Sequence, residues 1–377
     1  MPNRSSNRRR FLKAAAITGT VGIAGCIGDD DVDPDGDDPL DDDDGGNGTG
    51  SDPDEDREYH IDSGTSSGGT MDVGLAVEQG VANGSDTLSY STVESPGYVG
   101  TMYRMNEDAF DAGFIDINTM NKAQNNLDMF EDDPVDQLAW QGFRAFDYNI
   151  YMMAVDGTGI ETFDDLAGAD VYPAEPGYST RATSLDVWSQ EPTADIYEEM
   201  NIIDMDVSDA PGAMEEGRIE AAIAYGTPGI GNTGWNVEYD ARVDVHYVEH
   251  TDALVDSIEA FDGAGLSEFE DPEDTFLWDQ DIGTDEIVTW DFTPTIAIHP
   301  ETEDDAAYEL ARVAGEENDL IREAEERFLP EDPEGLVQGA LDEYPFHPGV
   351  AEYYQDEGVW NDDWVVGDRD NVGGYFN

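Results

Sequence analysis

The sequence predicts an α/β protein of two lobes that face one another across a ligand cleft. Short apolar runs of strand length alternate with longer segments whose apolar residues recur at spacings of three and four. That alternation is the mark of α/β sheets, expected here to be mostly parallel. Two loops rich in Gly, Ser and Thr, "SGTSSGGT" (63–70) and "EPGYST" (175–180), each follow a strand and precede a helix. Ligands of such sheets bind at the carboxyl ends of strands, where loops meet helix N-termini. Two such loops in equivalent places of two half-chains imply two lobes holding one ligand.

The N-terminus reads as an address. In "NRRRFLKAAAITGTVGIAGC" (7–26), Arg8 and Arg9, followed by Arg10, Phe11, Leu12 and Lys13, resemble a twin-arginine export motif. The apolar stretch that follows is too short to span a membrane. It ends in "IAGC", which resembles a lipobox with Cys26 as the lipidated residue. Cys26 is the only cysteine, so no disulfide forms within the chain. Residues 1–26 are therefore expected to be a twin-arginine lipoprotein signal peptide. Residues 27–56 are Asp, Gly, Pro, Asn, Ser and Thr with almost no apolar side chains. Like charges extend such a chain and nothing in it can form a core, so an acidic disordered tether is expected. The folded body is then exported and held by a lipid anchor on the outer face of the cytoplasmic membrane.

Charge bounds the partners. The 377 residues carry 16 Lys and Arg against 89 Asp and Glu, a formal net charge of −73. Neutralising nucleic-acid phosphates takes clustered cations, so a nucleic-acid partner is excluded. The acid is spread along the whole chain, and Lys13 and Lys122 are the only lysines. This is expected of a surface adapted to high salt, where screening makes self-repulsion tolerable.

From Arg57 onward, strands are predicted at 58–61, 87–93, 112–117, 148–155, 169–174, 221–226, 243–248 and 293–299, with helices over 74–82, 180–190 and 305–327. The loop at 63–70 lacks the Gly-Lys-Ser/Thr of a phosphate-binding loop and the G-x-G-x-x-G of a dinucleotide fold. What remains is a set of backbone amides and small hydroxyls at a helix N-terminus, which suits a small anion such as a carboxylate. "HYVEH" (246–250) matches the inverted zinc-protease pattern, but "VDVHYVEH" alternates as a strand does. Two histidines four residues apart on a strand lie roughly 13 Å apart, too far for one zinc. No metal or cofactor is expected, and no nucleophile motif argues for an enzyme.

Five segments in order resemble the solute receptors of TAXI-type TRAP (tripartite ATP-independent periplasmic) transporters. They are "SGTSSGGTMDVG" (63–74), "AFDAGFIDIN" (109–118), "GTGIETFDDLAGADVYPAEPGYSTRA" (157–182), "AMEEGRIEAAIAYGTPG" (213–229) and "YPFHPGVAEYYQDEGVW" (344–360). The resemblance covers roughly 57–360 and implies a type II periplasmic-binding-protein fold. In that fold two α/β lobes are joined by a hinge and close on a ligand between them. Lobe I is expected at 57–154 and 290–377, and lobe II at 155–289. The resemblance also implies capture of a small organic carboxylate, such as an acidic amino acid or dicarboxylate. Delivery would be to TRAP permease subunits driven by an ion gradient.

Carried over by position, the ligand site comprises Thr65, Ser66, Ser67, Gly69 and Thr70 from the first loop and Asn118 after the third strand. It continues with Gly177, Tyr178, Ser179, Thr180 and Arg181 from the second loop, and with Tyr225. Arg181 and Arg144 are the arginines placed to pair with a ligand carboxylate. Met71 and Asp72 stand where the family has aromatics, "SPGY" (95–98) stands where it has "GGS", and an added acid at Asp72 disfavours a strongly anionic ligand. "HPG" (347–349) reads as a structural turn or a permease-docking surface. Two other readings stay open: a receptor of the same fold serving an ABC importer, and a surface metalloenzyme built on "HYVEH".

Overall fold

The computed structural model describes residues 57–66 and 68–376. The expected signal peptide with Arg8, Arg9 and Cys26, the tether at 27–56, and Ser67 lie outside the described residues. Among the described residues, no helix is long and apolar enough to cross a membrane.

The chain opens with β1 (Tyr59–Thr65), β2 (Leu88–Glu94), β3 (Ala112–Asp116) and β4 (Trp140–Arg144). It crosses over through 145–147 and builds β5 (Tyr148–Val155), β6 (Asp170–Tyr172), β7 (Asn201–Ile202) and β8 (Ala221–Thr227). Then come β9 (Gly231–Asn232), β10 (Val245–Tyr247), β11 (Gly265–Glu270) and β12 (Glu286–Phe292). It crosses back at Thr293 into β13 (Pro294–Ile298). The first sheet has the order β2-β1-β3-β13-β4, with β13 antiparallel to both neighbours. The second has the order β11-β12-β5-β8-β6-β7, with β10 pairing β5 and β9 pairing β8. A returning strand inserted between β3 and β4, and two crossings side by side, make this the type II periplasmic-binding-protein fold.

One expectation needs correction. The second sheet is mainly antiparallel: β5 runs against β8, β10 and β12, and β11 against β12. Helix–strand alternation predicts parallel pairs only where each strand is followed by a crossover helix. Here the crossing strands β5 and β12 traverse the hinge in opposite directions and set the sheet around them. The change of sheet falls at the start of β5, all of which pairs in the second sheet, and the return follows Phe292.

The elements follow from side-chain pattern. In the helix Gly69–Gly84 the buried face is Thr70, Val73, Gly74, Ala76, Val77, Gly80 and Val81, at helical spacing. Burying each of its valines is worth on the order of 1.5–3 kcal/mol. β3 (AGFID) and β8 (AAIAYGT) are buried throughout, as interior strands covered on both faces require. The expected helix over 305–327 divides into Asp304–Glu316 and Asn318–Arg322, and 323–332 runs on without helix. β4, β7, β9, β11 and β12 were not predicted; "WQGFR" and "GLSEFE" are short and carry Gly or acids inside the run.

"HPG" resolves as structure. His347 is fully buried, and its ring accepts from Gly349 N at the start of the helix Pro348–Glu357. A Cβ on Gly349 would collide with the Asp304 carbonyl. The motif is a packed helix start, not an exposed docking face.

Candidate ligand cleft

The two Gly/Ser/Thr loops come together at the hinge. The first ends β1 and starts the helix Gly69–Gly84; Gly68 sits before it at φ 81, where glycine meets no Cβ penalty. No side chain caps that helix start. Thr65 and Thr70 are buried, and Thr70 Oγ1 lies 2.6 Å from the Tyr98 hydroxyl. Ser66 faces the same hydroxyl. The second loop turns at Gly177 (φ 99) into the helix Ser179–Trp188, which also lacks a side-chain cap. Its Tyr178 is 39% exposed, while Thr180 is buried and its hydroxyl has no hydrogen-bond partner.

Tyrosines connect the loops. Tyr148, the first residue of β5, has its hydroxyl 2.9 Å from the point where a Cβ would stand on Gly69. Its ring lies 5.5 Å from that of Tyr225 on β8. The Tyr225 hydroxyl lies beside Thr180 and accepts from Trp235 Nε1 at 3.3 Å. Phe292 packs edge-on against Tyr98 at 5.3 Å and parallel to Tyr148 at 6.2 Å. Burial pushes the phenol pKa of Tyr98, Tyr148 and Tyr225 upward, so all three stay neutral donors.

Next to this cluster a pocket of about 310 Å³ opens between the sheets. Val99, Asp116, Asn118, Thr119, Lys122, Met129 and Phe130 line one side, and Pro176, Gly177, Tyr178, Ser179, Arg181, Ala182 and Leu185 the other. Of the expected site residues, Asn118, Gly177, Tyr178, Ser179 and Arg181 line it. Ser66, Gly69, Thr70 and Thr180 gather instead around the adjoining tyrosines, Tyr225 among them, and Thr65 is buried beneath the first loop.

Charge ties the walls together. Lys122 Nζ lies 2.6 Å from Asp186 across the gap and 2.7 Å from Asp128 on its own side. Burial opposes its charge, but those two carboxylates outweigh burial and hold its pKa above the ordinary lysine value. Asn118 Nδ2 also donates to Asp186, at 2.8 Å, and to Thr183 Oγ1 at 3.3 Å. Asp116 is buried and its pKa raised by that burial, although Thr119 donates to it from N at 2.9 Å and from Oγ1 at 2.6 Å.

Neither expected arginine points free into the cleft. Arg144 forms a two-point pair with Asp147 and also reaches Gln338. Arg181 borders the pocket, but its guanidinium bonds the Ala174 carbonyl at 2.8 Å and Asp204. The arginine that does lie at the first loop is Arg327: a Cβ on Gly69 would collide with its Nη1. Sequence reasoning also passed over Tyr98, Tyr148, Asp116 and Lys122 as site residues. The scarcity of lysine was the one signal for Lys122, and the altered "SPGY" segment the one for Tyr98. His246 sits on strand β10, bonded to Asp156 at 2.8 Å and to the Ile160 carbonyl at 2.7 Å. Among the described residues, no group of three or more His, Cys, Asp or Glu is placed to hold a metal.

Solved structures similar to this chain include the periplasmic aliphatic sulphonate binding protein of Escherichia coli. It is 12% identical, with 71% of this chain and 78% of that one covered, at a TM-score of 0.38. A probable amino-acid ABC transporter extracellular-binding protein of Bacillus subtilis is 8% identical, over 72% and 98% of the two chains, at 0.42. The L-cystine solute receptor of Neisseria gonorrhoeae, in an unliganded open conformation, is 10% identical over 72% and 92%, at 0.37. Likeness at this level says nothing about what this cleft holds. No curated protein matches the chain. A family model does match, over residues 62–358, from β1 to the end of the helix Pro348–Glu357. The chain belongs to the NMT1-like family.

Proposed function

We propose that the chain is an extracytoplasmic solute receptor that captures a small organic carboxylate between its two lobes and delivers it to a membrane transporter. The observation that carries this is the pocket of about 310 Å³ shared by both lobes, with an uncapped helix start from each beside it. Uncapped helix starts offer unpaired amides and the positive end of the helix dipole, both suited to an anion. The order of the five motifs favours a TRAP permease as the recipient, and four of the five supply residues around the cleft. An exported, lipid-anchored placement follows from the N-terminal motifs, and the acidic surface fits a salt-rich medium. No catalytic step is proposed.

A second reading is delivery to an ABC importer, the kind of system named for the Bacillus subtilis protein above. Uptake by whole cells separates the two. Loss of uptake on collapsing the ion gradient, with ATP maintained, supports the TRAP reading; loss only on ATP depletion supports the ABC importer. The receptor reading itself is tested by native mass spectrometry of the protein in a volatile salt against a carboxylate library. One retained ligand is expected, and a clean null across the library would overturn it.

A further inference from the structure

We propose that Arg327 is the anion anchor of the cleft and that the site selects a small monocarboxylate with an apolar body over a dicarboxylate. The inference rests on the receptor reading above. Arg327 packs its guanidinium against Gly69, the first residue of the 16-residue helix Gly69–Gly84, beside the Tyr148 hydroxyl. Two positive features thus face each other, a guanidinium and an uncapped helix start. Such a pairing calls for an anion in reach of both.

The resident carboxylates satisfy it only loosely. Asp72 lies 3.7 Å from Nη1 and Glu325 3.3 Å from Nε. Arg144 and Arg181 are instead held by close hydrogen bonds to side chains and carbonyls. A ligand carboxylate at Arg327 therefore displaces Asp72 from a weak contact rather than breaking a strong one. The Thr180 hydroxyl adds a buried and unpartnered group on the opposite lobe, facing the same tyrosine cluster.

The surroundings set the charge limit. Arg327 supplies one positive charge, while Asp72, Glu325 and the buried Asp116 border the same cluster. A second carboxylate on the ligand meets these acids with no cation left to pair it, since Lys122 is held by Asp128 and Asp186. The half-buried ring of Tyr148, backed by Tyr225 and Phe292, offers the rest of the ligand an apolar surface.

Isothermal titration of the full chain in high salt tests this with benzoate, propionate, succinate, glutamate and the neutral benzamide. Benzoate or propionate should bind, with succinate and glutamate weaker by about tenfold or more and benzamide silent. Arg327→Gln should weaken the bound monocarboxylate by about tenfold or more, while Arg327→Lys keeps part of it. Asp72→Asn should tighten the monocarboxylate and admit succinate, and its gain of binding does not depend on a damaged variant. Tighter binding of succinate or glutamate than of either monocarboxylate overturns the charge limit. Unchanged binding in Arg327→Gln overturns the anchor, and both results leave the receptor reading standing. If no carboxylate binds the wild-type chain, the receptor reading falls and this inference with it.

Discussion

The two glycine-rich loops look alike in sequence and differ in structure. The first is closed: Thr70 bonds Tyr98, Gly69 packs close to Tyr148 and Arg327, and both threonines are buried. The second is unfinished. Gly177 turns in open space, Tyr178 is exposed, and the Thr180 hydroxyl is buried with nothing to bond. A buried polar atom without a partner carries a cost of about 1–3 kcal/mol, which a ligand hydrogen bond at Thr180 would remove. The first loop is a preformed seat and the second is the jaw that a ligand completes.

The largest expected effect breaks the seat. Gly69→Val drives a side chain into Arg327 and the Tyr148 hydroxyl, and binding should fall by more than about tenfold, or ~1.4 kcal/mol. Titration reads the loss, and near-wild-type circular dichroism shows that the helix still forms.

The next pair sharpens the contrast between seat and jaw. Thr70→Val removes the close partner of the buried Tyr98 hydroxyl, leaving it Ser66 alone, and should lower folding stability by about 1 kcal/mol. Thr180→Val removes an atom that has no partner, so stability should hold or rise while ligand affinity falls. Denaturant unfolding and titration of both variants give the four numbers needed. Equal stability losses in the two would erase the distinction between the loops.

Arg181→Gln is expected to have a smaller effect. Its guanidinium ties the second loop to Ala174 and Asp204, so stability should drop by about 1 kcal/mol with affinity little changed. A large affinity loss would move the anchor from the seat to the jaw.

Acidity gives the smallest and most general effects. Burial, then the neighbouring Asp147 carboxylate, raises the pKa of Asp291 at the hinge. A raised folded pKa means that this group's contribution is full below the ordinary carboxylate range and is lost as pH rises toward neutrality. Asp291→Asn should therefore raise the melting temperature near neutral pH more than in mild acid. His347 is the mirror case: burial, then Arg369, lowers it to about 4. Its contribution is present above the ordinary imidazole pKa of about 6.5 and is lost as pH falls toward the folded value. His347→Asn can still cap the helix and should flatten the acid limb of the stability curve.

What the sequence made legible follows from how local each signal is. β1 with its glycine loop and β6 with its own are strand, turn and helix within about twenty residues, and both stand where patterning put them. Tyr225 is placed beside Thr180 by β8, an apolar run that no other reading fits. Arg327 could not be seen this way, because it reaches Gly69 from a non-helical stretch at the far end of the chain. Arg181 looked free because Asp204, which holds it, lies in an unremarkable loop. The antiparallel second sheet was missed for a related reason: β11 and β12 carry Glu or Asp within the run, which masks their pairing.

The most direct measurement is hydrogen exchange of the backbone amides with and without the retained carboxylate. If one ligand is held by both loops, amides at 69–72 and at 179–182 gain protection together and at the same ligand concentration. Protection confined to one loop, or to neither, would contradict a cleft that closes on its ligand from both sides.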